Sequence, residues 1–192
     1  MSAIAALRLA TWPAHQRLEK RLDVKTRFSN RDAYRAHLQR MWGFYAPVEQ
    51  RFGVDGFGGA LADYEARRKL PLLTRDLIAL GADSQAVMLT DQCQSVPACP
   101  DPAAAFGCLY VLEGATLGGR MLLPLVESRL AVSAERGAAF LASYGEAVAV
   151  MWRSFGAALD AWCRVPERAA CAARTAVATF DALGAWLCEG RA

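Results

Sequence analysis

The chain has 192 residues, 54% of them hydrophobic and 21% charged, which fits one globular domain with a sizeable core and excludes a disordered chain. The net charge of +3 is too weak by itself to point to nucleic acid. The longest uncharged stretch, Pro102 to Leu112, is too short to span a bilayer, and Arg8 interrupts the apolar start, which argues against a secretory signal.

Charge is nevertheless uneven. Residues 1 to 40 hold nine basic residues (Arg8, Arg17, Lys20, Arg21, Lys25, Arg27, Arg31, Arg35 and Arg40) against Glu19, Asp23 and Asp32. That end is expected to attract anions. The cysteines at 93, 99, 108, 163, 171 and 188 include no C-x-x-C pair. Without an export signal they read as reduced thiols of a cytoplasmic protein, several of them filling core.

The pattern along the chain is helical nearly throughout. Leu7, Thr11, His15, Leu18 and Leu22 recur at helical steps and define one face of a first helix. Pro13 either bends that helix or opens a separate segment capped by Thr11. Ser29 or Asn30 caps a second helix, with Tyr34, Leu38, Met41, Tyr45, Val48 and Phe52 on one face and Pro47 near its end. Residues 53 to 59 hold four glycines and read as a loop. Two short helices, broken at Pro71, are expected between Asp63 and Leu80, and another between Asp83 and Cys93. A proline-containing connector follows.

Asp101-Pro102 then opens a long helix, as cap and first-turn proline, that continues to about Leu130 with a kink at Pro124. Ser133 is expected to start another long helix, with Phe140, Tyr144, Val148, Met151, Phe155, Leu159 and Trp162 on one stripe. Pro166 opens the last, with Val177, Phe180, Leu183 and Leu187 facing inward. No alternating strand, internal repeat or linker is visible. The expectation is a single all-α domain over 1–192, a compact multi-helix bundle.

Two segments carry chemistry. In the first helix, His15 sits on an apolar face with Glu19 one turn on. A neutral imidazole there can bind a metal through one nitrogen while the other donates to Glu19, or it can be an ordinary core or surface histidine. His37 reads as a solvated or structural residue. In the long helix, Gly114, Gly118 and Gly119 bare one patch of backbone, although each glycine costs about 1 kcal/mol relative to alanine. Such a patch admits a neighbouring helix or a flat ligand, or marks a helix end. Arg153, between large aromatics, reads as the partner of an anion or as an outer-face residue, and Lys25 poses the same choice. There is no phosphate-binding loop, no nucleophile elbow and no metal-binding set of clustered Cys and His.

Together these segments resemble the haem oxygenase family in its bacterial, biliverdin-producing branch. Ala10-Thr11 and His15-Gln16-Arg17-Leu18-Glu19 match its proximal-helix pattern. Tyr110-Val111-Leu112-Glu113-Gly114-Ala115-Thr116-Leu117-Gly118-Gly119 resembles its distal helix, and Trp152-Arg153-Ser154-Phe155 a later helix that brings a basic residue to a haem propionate. The resemblance implies haem as substrate and cofactor, held between the two helices, with His15 on the iron and Glu19 orienting it. It places Gly114, Gly118 and Gly119 over the face where dioxygen binds, and Tyr110, Arg153 and Lys25 with the haem, the two cations at its propionates. A methyl added at Gly118 or Gly119 is then expected to leave the protein folded and to impair function. The implied reaction yields biliverdin, carbon monoxide and ferrous iron. Its electrons come from a ferredoxin, a flavodoxin or a reductase, with a bilin-binding photoreceptor as a further partner and no nucleic acid or membrane involved. Animal members carry aspartate directly after the first distal glycine, where this chain has Ala115. That departure leaves open a haem carrier or sensor, and the fold alone leaves open a haem-free helical interaction protein.

Overall fold

Ser2 opens the first helix, its hydroxyl accepting from the Ala5 amide at 3.4 Å. The computed structural model describes residues 2–53 and 56–188; Val54 and Asp55 of the glycine-rich loop lie outside the described residues, as do Met1 and 189–192. About 75% of it is helical, and no strand occurs among the described residues.

Helix α1 (Ala3–Arg21) runs unbroken through Pro13. Thr11 caps nothing; its hydroxyl donates back to the Leu7 carbonyl at 2.8 Å, one turn earlier. Leu7 and Thr11 are buried, and His15, Leu18 and Leu22 are half-buried. Helix α2 (Val24–Arg27) is a single turn. Helix α3 (Arg31–Phe52) is capped by Asn30, whose Oδ1 accepts from the Ala33 amide at 2.9 Å. All six of its expected core residues are buried, and Trp42, Phe44 and Ala46 bury a second side, so α3 is enclosed by the core.

Helices α4 (Tyr64–Arg67), α5 (Leu70–Ala79) and α6 (Ser84–Met88) follow. The break in the first pair falls at Arg68–Lys69; Pro71 lies in the first turn of α5, where its missing N–H removes no helical bond. Helix α7 (Pro102–Leu130) starts at Asp101, which accepts from the Ala104 amide at 2.9 Å. It carries Pro124 within it. Among the described residues α7 alone is long and apolar enough to cross a membrane by length and composition. Core helices pass the same test, and 44% of its most apolar window is buried inside the protein.

The expected helix from Ser133 does not form. Gly137 at φ 89° and Ser143 at φ 48° put left-handed residues inside the proposed span. The segment divides into α8 (Ala139–Ala142), a 3₁₀ turn (Gly145–Ala147) and α9 (Val148–Trp162). Buried Asp76 of α5 starts α8 at long range, accepting from the Ala139 and Phe140 amides at 2.8 and 2.7 Å. Burial raises the pKa of this carboxyl, against the two amide bonds.

Helix α10 (Pro166–Cys188) packs against both α1 and α7. Phe180, Leu183 and Leu187 face inward as expected, but Val177 is only half-buried. Ala172, Ala176 and Thr179 fill the contact instead, because small residues let the helices approach closely.

Much of the basic N-terminal segment is structural. Arg27 donates to the Leu187 carbonyl at 2.5 Å, Arg31 to Leu130 at 3.1 Å and Arg35 to Leu80 at 3.5 Å. Arg40 donates to the Trp186 carbonyl and lies over its ring. These guanidinium groups satisfy carbonyls at the ends of α10, α7 and α5, where the helix dipole favours a cation. Arg17 pairs with Asp181 at 2.8 Å. Arg8, Lys20, Arg21 and Lys25 remain exposed and make no ion pair among the described residues.

Candidate functional site

The helices α1 and α7 meet where the Tyr110 hydroxyl lies beside Thr11 and Arg8. Burial raises the Tyr110 pKa, and Thr11 and Arg8 act in the opposite direction. Both helices run antiparallel to α9. On α7, Phe106 faces Phe155 and Tyr110 faces Trp152, with ring centroids 6.0 and 5.6 Å apart. On α1, the Ile4 amide donates to Asp160 at 3.0 Å, nearer the end of α9. The helices α1 and α7 therefore run in the same sense, and His15 and Gly114 each follow one turn beyond the contact.

His15 is held by aromatic rings. Trp12 stacks beside it at 6.1 Å and 9°, and Phe180 of α10 meets it edge-on at 5.5 Å and 79°. Its Nδ1 is buried without a hydrogen bond; Glu19 Oε2 stands 3.4 Å away, within ion-pair range. The side chain is still 43% exposed, so its open side lies away from Nδ1.

The three glycines of α7 divide into two kinds. A Cβ on Gly114 would touch only Trp152, at 4.0 Å, and one on Gly118 would meet nothing within 4 Å. Between and beyond them Leu117 and Met121 are 40% and 83% exposed, an uncovered apolar rim. At Gly119 a Cβ would stand 2.9 Å from the Leu141 carbonyl oxygen. Gly119 therefore serves helix packing against α8, which corrects the expectation that it behaves like Gly118. Gly118→Ala should leave stability unchanged or raise it by up to ~1 kcal/mol, whereas Gly119→Ala should lower it. Thermal unfolding of the two variants checks this split.

Arg153 is exposed on α9 beside Trp152, the residue that covers Gly114, and makes no ion pair among the described residues. Lys25 is exposed on α2, which packs on α3. His37 is not solvated: it is buried, edge-on to Phe28 at 5.3 Å and 3.4 Å from Arg27. No three His, Cys, Asp or Glu side chains converge as a metal cage among the described residues.

Sequence reasoning missed the charge cluster behind the glycine face. Glu113 is buried and accepts from Arg67 at 2.7 Å, Tyr144 at 2.6 Å and Lys69 at 3.4 Å. Arg67 also holds Asp63 at 2.6 Å and Ser154 at 2.8 Å. Lys69 donates to Tyr144 and to the Arg67 carbonyl, each at 2.6 Å, and its backbone N–H donates to Glu49 at 2.7 Å. Burial alone would lower the Arg67 pKa, but Asp63 and Glu113 raise it. Burial brings Lys69 down to about 8, against the pull of Glu113. Burial and Glu113 together push the Tyr144 hydroxyl up. The cluster joins α4 and the α8–α9 turn to α7 immediately before Gly114. The sequence does carry a signal for it: Glu113 is the lone charge between Asp101 and Arg120, and such a charge, once buried, needs a partner.

In this all-α fold His15 on α1 and Gly114 on α7 each stand one helical turn past the point where Thr11 and Tyr110 approach. The sequence pattern of the heme oxygenase family matches residues 1–189, and the chain belongs to that family. It is an enzyme, a haem oxygenase, and haem is its substrate. A heme oxygenase of Xanthomonas campestris pv. campestris (strain 8004) is 31% identical over 130 residues, covering 60% of this chain and 72% of that protein. The fold is similar to the NO- and CO-bound heme oxygenase from Neisseria meningitidis, with a TM-score of 0.84 at 22% identity, over 98% of this chain and 92% of that one. Heme oxygenase from Leptospira interrogans gives 0.74 at 16%, over 98% and 100%.

Proposed function

We propose that this single-domain enzyme opens haem to biliverdin, carbon monoxide and ferrous iron, with haem lying between α1 and α7. What supports the reading is that His15 on α1 and the open face of Gly114 and Gly118 on α7 both lie beyond the Thr11–Tyr110 approach. His15 fits an iron ligand because its ring is flanked by Trp12 and Phe180 and partly open, with Glu19 near the buried Nδ1 to fix the tautomer. Bound haem supplies the iron at which dioxygen is reduced and the ring carbon that is oxidised. The chain's own part is to seat it, orient the imidazole, and keep side chains off the α7 face. Tyr110 lines that place, and the exposed Arg153 and Lys25 suit the propionates. The cytoplasm as place of work suits six free cysteines.

The test is a haem titration followed by turnover with reductant and oxygen. A Soret band that gives way to a bilin band supports the reading; a stable haem complex would make the chain a carrier or sensor. Gly118→Ala should bind haem and keep or slightly gain stability, yet lose bilin yield. Arg153→Ala should disturb haem seating and mix the bilin isomers; unchanged affinity and product would remove Arg153 from the site.

Electrons are expected from a ferredoxin, a flavodoxin or a reductase, and a bilin-binding photoreceptor would take the product. The docking charge is narrower than composition implies: Arg8, Lys20, Arg21 and Lys25. Reduction by an acidic donor should slow with salt, as the Debye length falls from about 10 Å at 0.1 M to about 3 Å at 1 M. A rate indifferent to ionic strength counts against electrostatic docking.

A further inference from the structure

Two thiols lie together beside α7. Cys99 is half-buried on the connector before Asp101, and Cys108 is fully buried two turns into the helix. Their sulfurs are 3.5 Å apart, with Cys99 the donor. Cys108 also lies 3.1 Å from the Thr179 hydroxyl, with either atom able to donate, and that hydroxyl lies 2.7 Å from the Thr175 carbonyl. A chain of polar contacts thus runs from Cys99 through Cys108 into α10. The Cys99 bond favours ionisation at Cys108, against burial and with help from Thr179 and Arg51. The same contact and burial keep Cys99 protonated.

We propose that Cys99 and Cys108 form a redox modification site, which hydrogen peroxide closes to a disulfide that fastens the connector onto α7. One sulfur of the pair attacks one peroxide oxygen as thiolate; an S–O bond forms, the O–O bond breaks, and hydroxide leaves as water with the proton of the other thiol. The second thiolate then attacks the oxidised sulfur, an S–S bond forms, the S–O bond breaks, and the second hydroxide leaves as water with the proton released first. Two thiols lose two electrons, and one peroxide becomes two waters.

Closing the bond shortens 3.5 Å to about 2.05 Å. The connector can follow. Among the described residues, Gln94 to Pro100 make no backbone–backbone hydrogen bond; the segment is tied at Cys93, whose amide donates to the Gly43 carbonyl at 2.9 Å. Cys93 is a poorer candidate, since its sulfur is engaged with Ser95 at 3.4 Å. The site does not depend on haem, so its test is separate from that of the proposed reaction.

The experiment uses the full, reduced chain without haem, given a small molar excess of peroxide and then a thiol-blocking reagent. Cleavage before Asp91 and Asp101 separates the segment carrying Cys93 and Cys99 from the one carrying Cys108. The expected result is loss of two of the six thiols, with the two segments joined until dithiothreitol is added. Cys93→Ser should retain the cross-link, while Cys99→Ser and Cys108→Ser each abolish it. In urea the selectivity for this pair should vanish. A cross-link through Cys93, free thiols at both positions, or single sulfinic acids with no S–S bond would each overturn the proposal.

Discussion

Replacing Glu113 with alanine is expected to destabilise the protein by about 3–5 kcal/mol, because it strips the counter-charge from two buried cations. The Arg67 and Lys69 side chains are 0% and 2% exposed. Without Glu113, Arg67 keeps Asp63, itself 43% exposed, and Lys69 keeps a tyrosine hydroxyl and a carbonyl. Neither set restores the lost charge in a place that water does not reach. For a chain of this size the thermal midpoint should fall by roughly 6–20 °C. Glu113→Gln preserves shape and an acceptor, so its loss should be smaller. Tyr144→Phe removes two hydrogen bonds, one from Lys69 and one to Glu113, but leaves the charges paired and should cost about 1–2 kcal/mol. Chemical and thermal unfolding of the three variants should rank them in that order. An alanine variant within about 1 kcal/mol of the parent would mean that solvent enters the cluster and screens it.

That cluster also marks where the sequence stops being legible. Helical periodicity locates α1, α3, α7 and α10, because each presents a long apolar face whose spacing is a local property. Caps at Asn30, Asp83 and Asp101 are equally local, one polar oxygen before a run of free amides. The region after Leu130 is not legible in that way. Phe140, Tyr144 and Val148 keep helical spacing, yet left-handed Ser143 lies between them, and the turn is fixed by Asp76, more than sixty residues earlier. The glycines show the same division. Their pattern announces a bare helix face, but only the position of the Leu141 carbonyl separates Gly119, which packs, from Gly118, which opens outward. Composition misleads most at the basic end. Four of the nine cations there close helix C-termini across the fold, a task that no charge count can distinguish from surface attraction.

His15→Ala should separate binding from turnover. The imidazole is 43% exposed and contributes two ring contacts, so its removal should cost about 1 kcal/mol of stability or less. Haem should still enter, since the apolar surface of Trp12, Leu117 and Met121 remains, but the spectrum should lose its axial-imidazole signature. Turnover should fall by more than the about 10–100-fold expected when only a supporting partner of a metal ligand is removed. Glu19→Gln is that smaller case: the acceptor near Nδ1 loses its charge, the imidazole becomes a poorer donor, and activity should drop without loss of the signature. His37→Ala serves as the control for the second histidine. It opens a cavity beside Phe28 and takes away one neighbour of Arg27, so stability should suffer while the axial signature stays. If His37→Ala abolished that signature and His15→Ala preserved it, the iron ligand would be misassigned, and the α1–α7 junction would lose its claim to be the haem site.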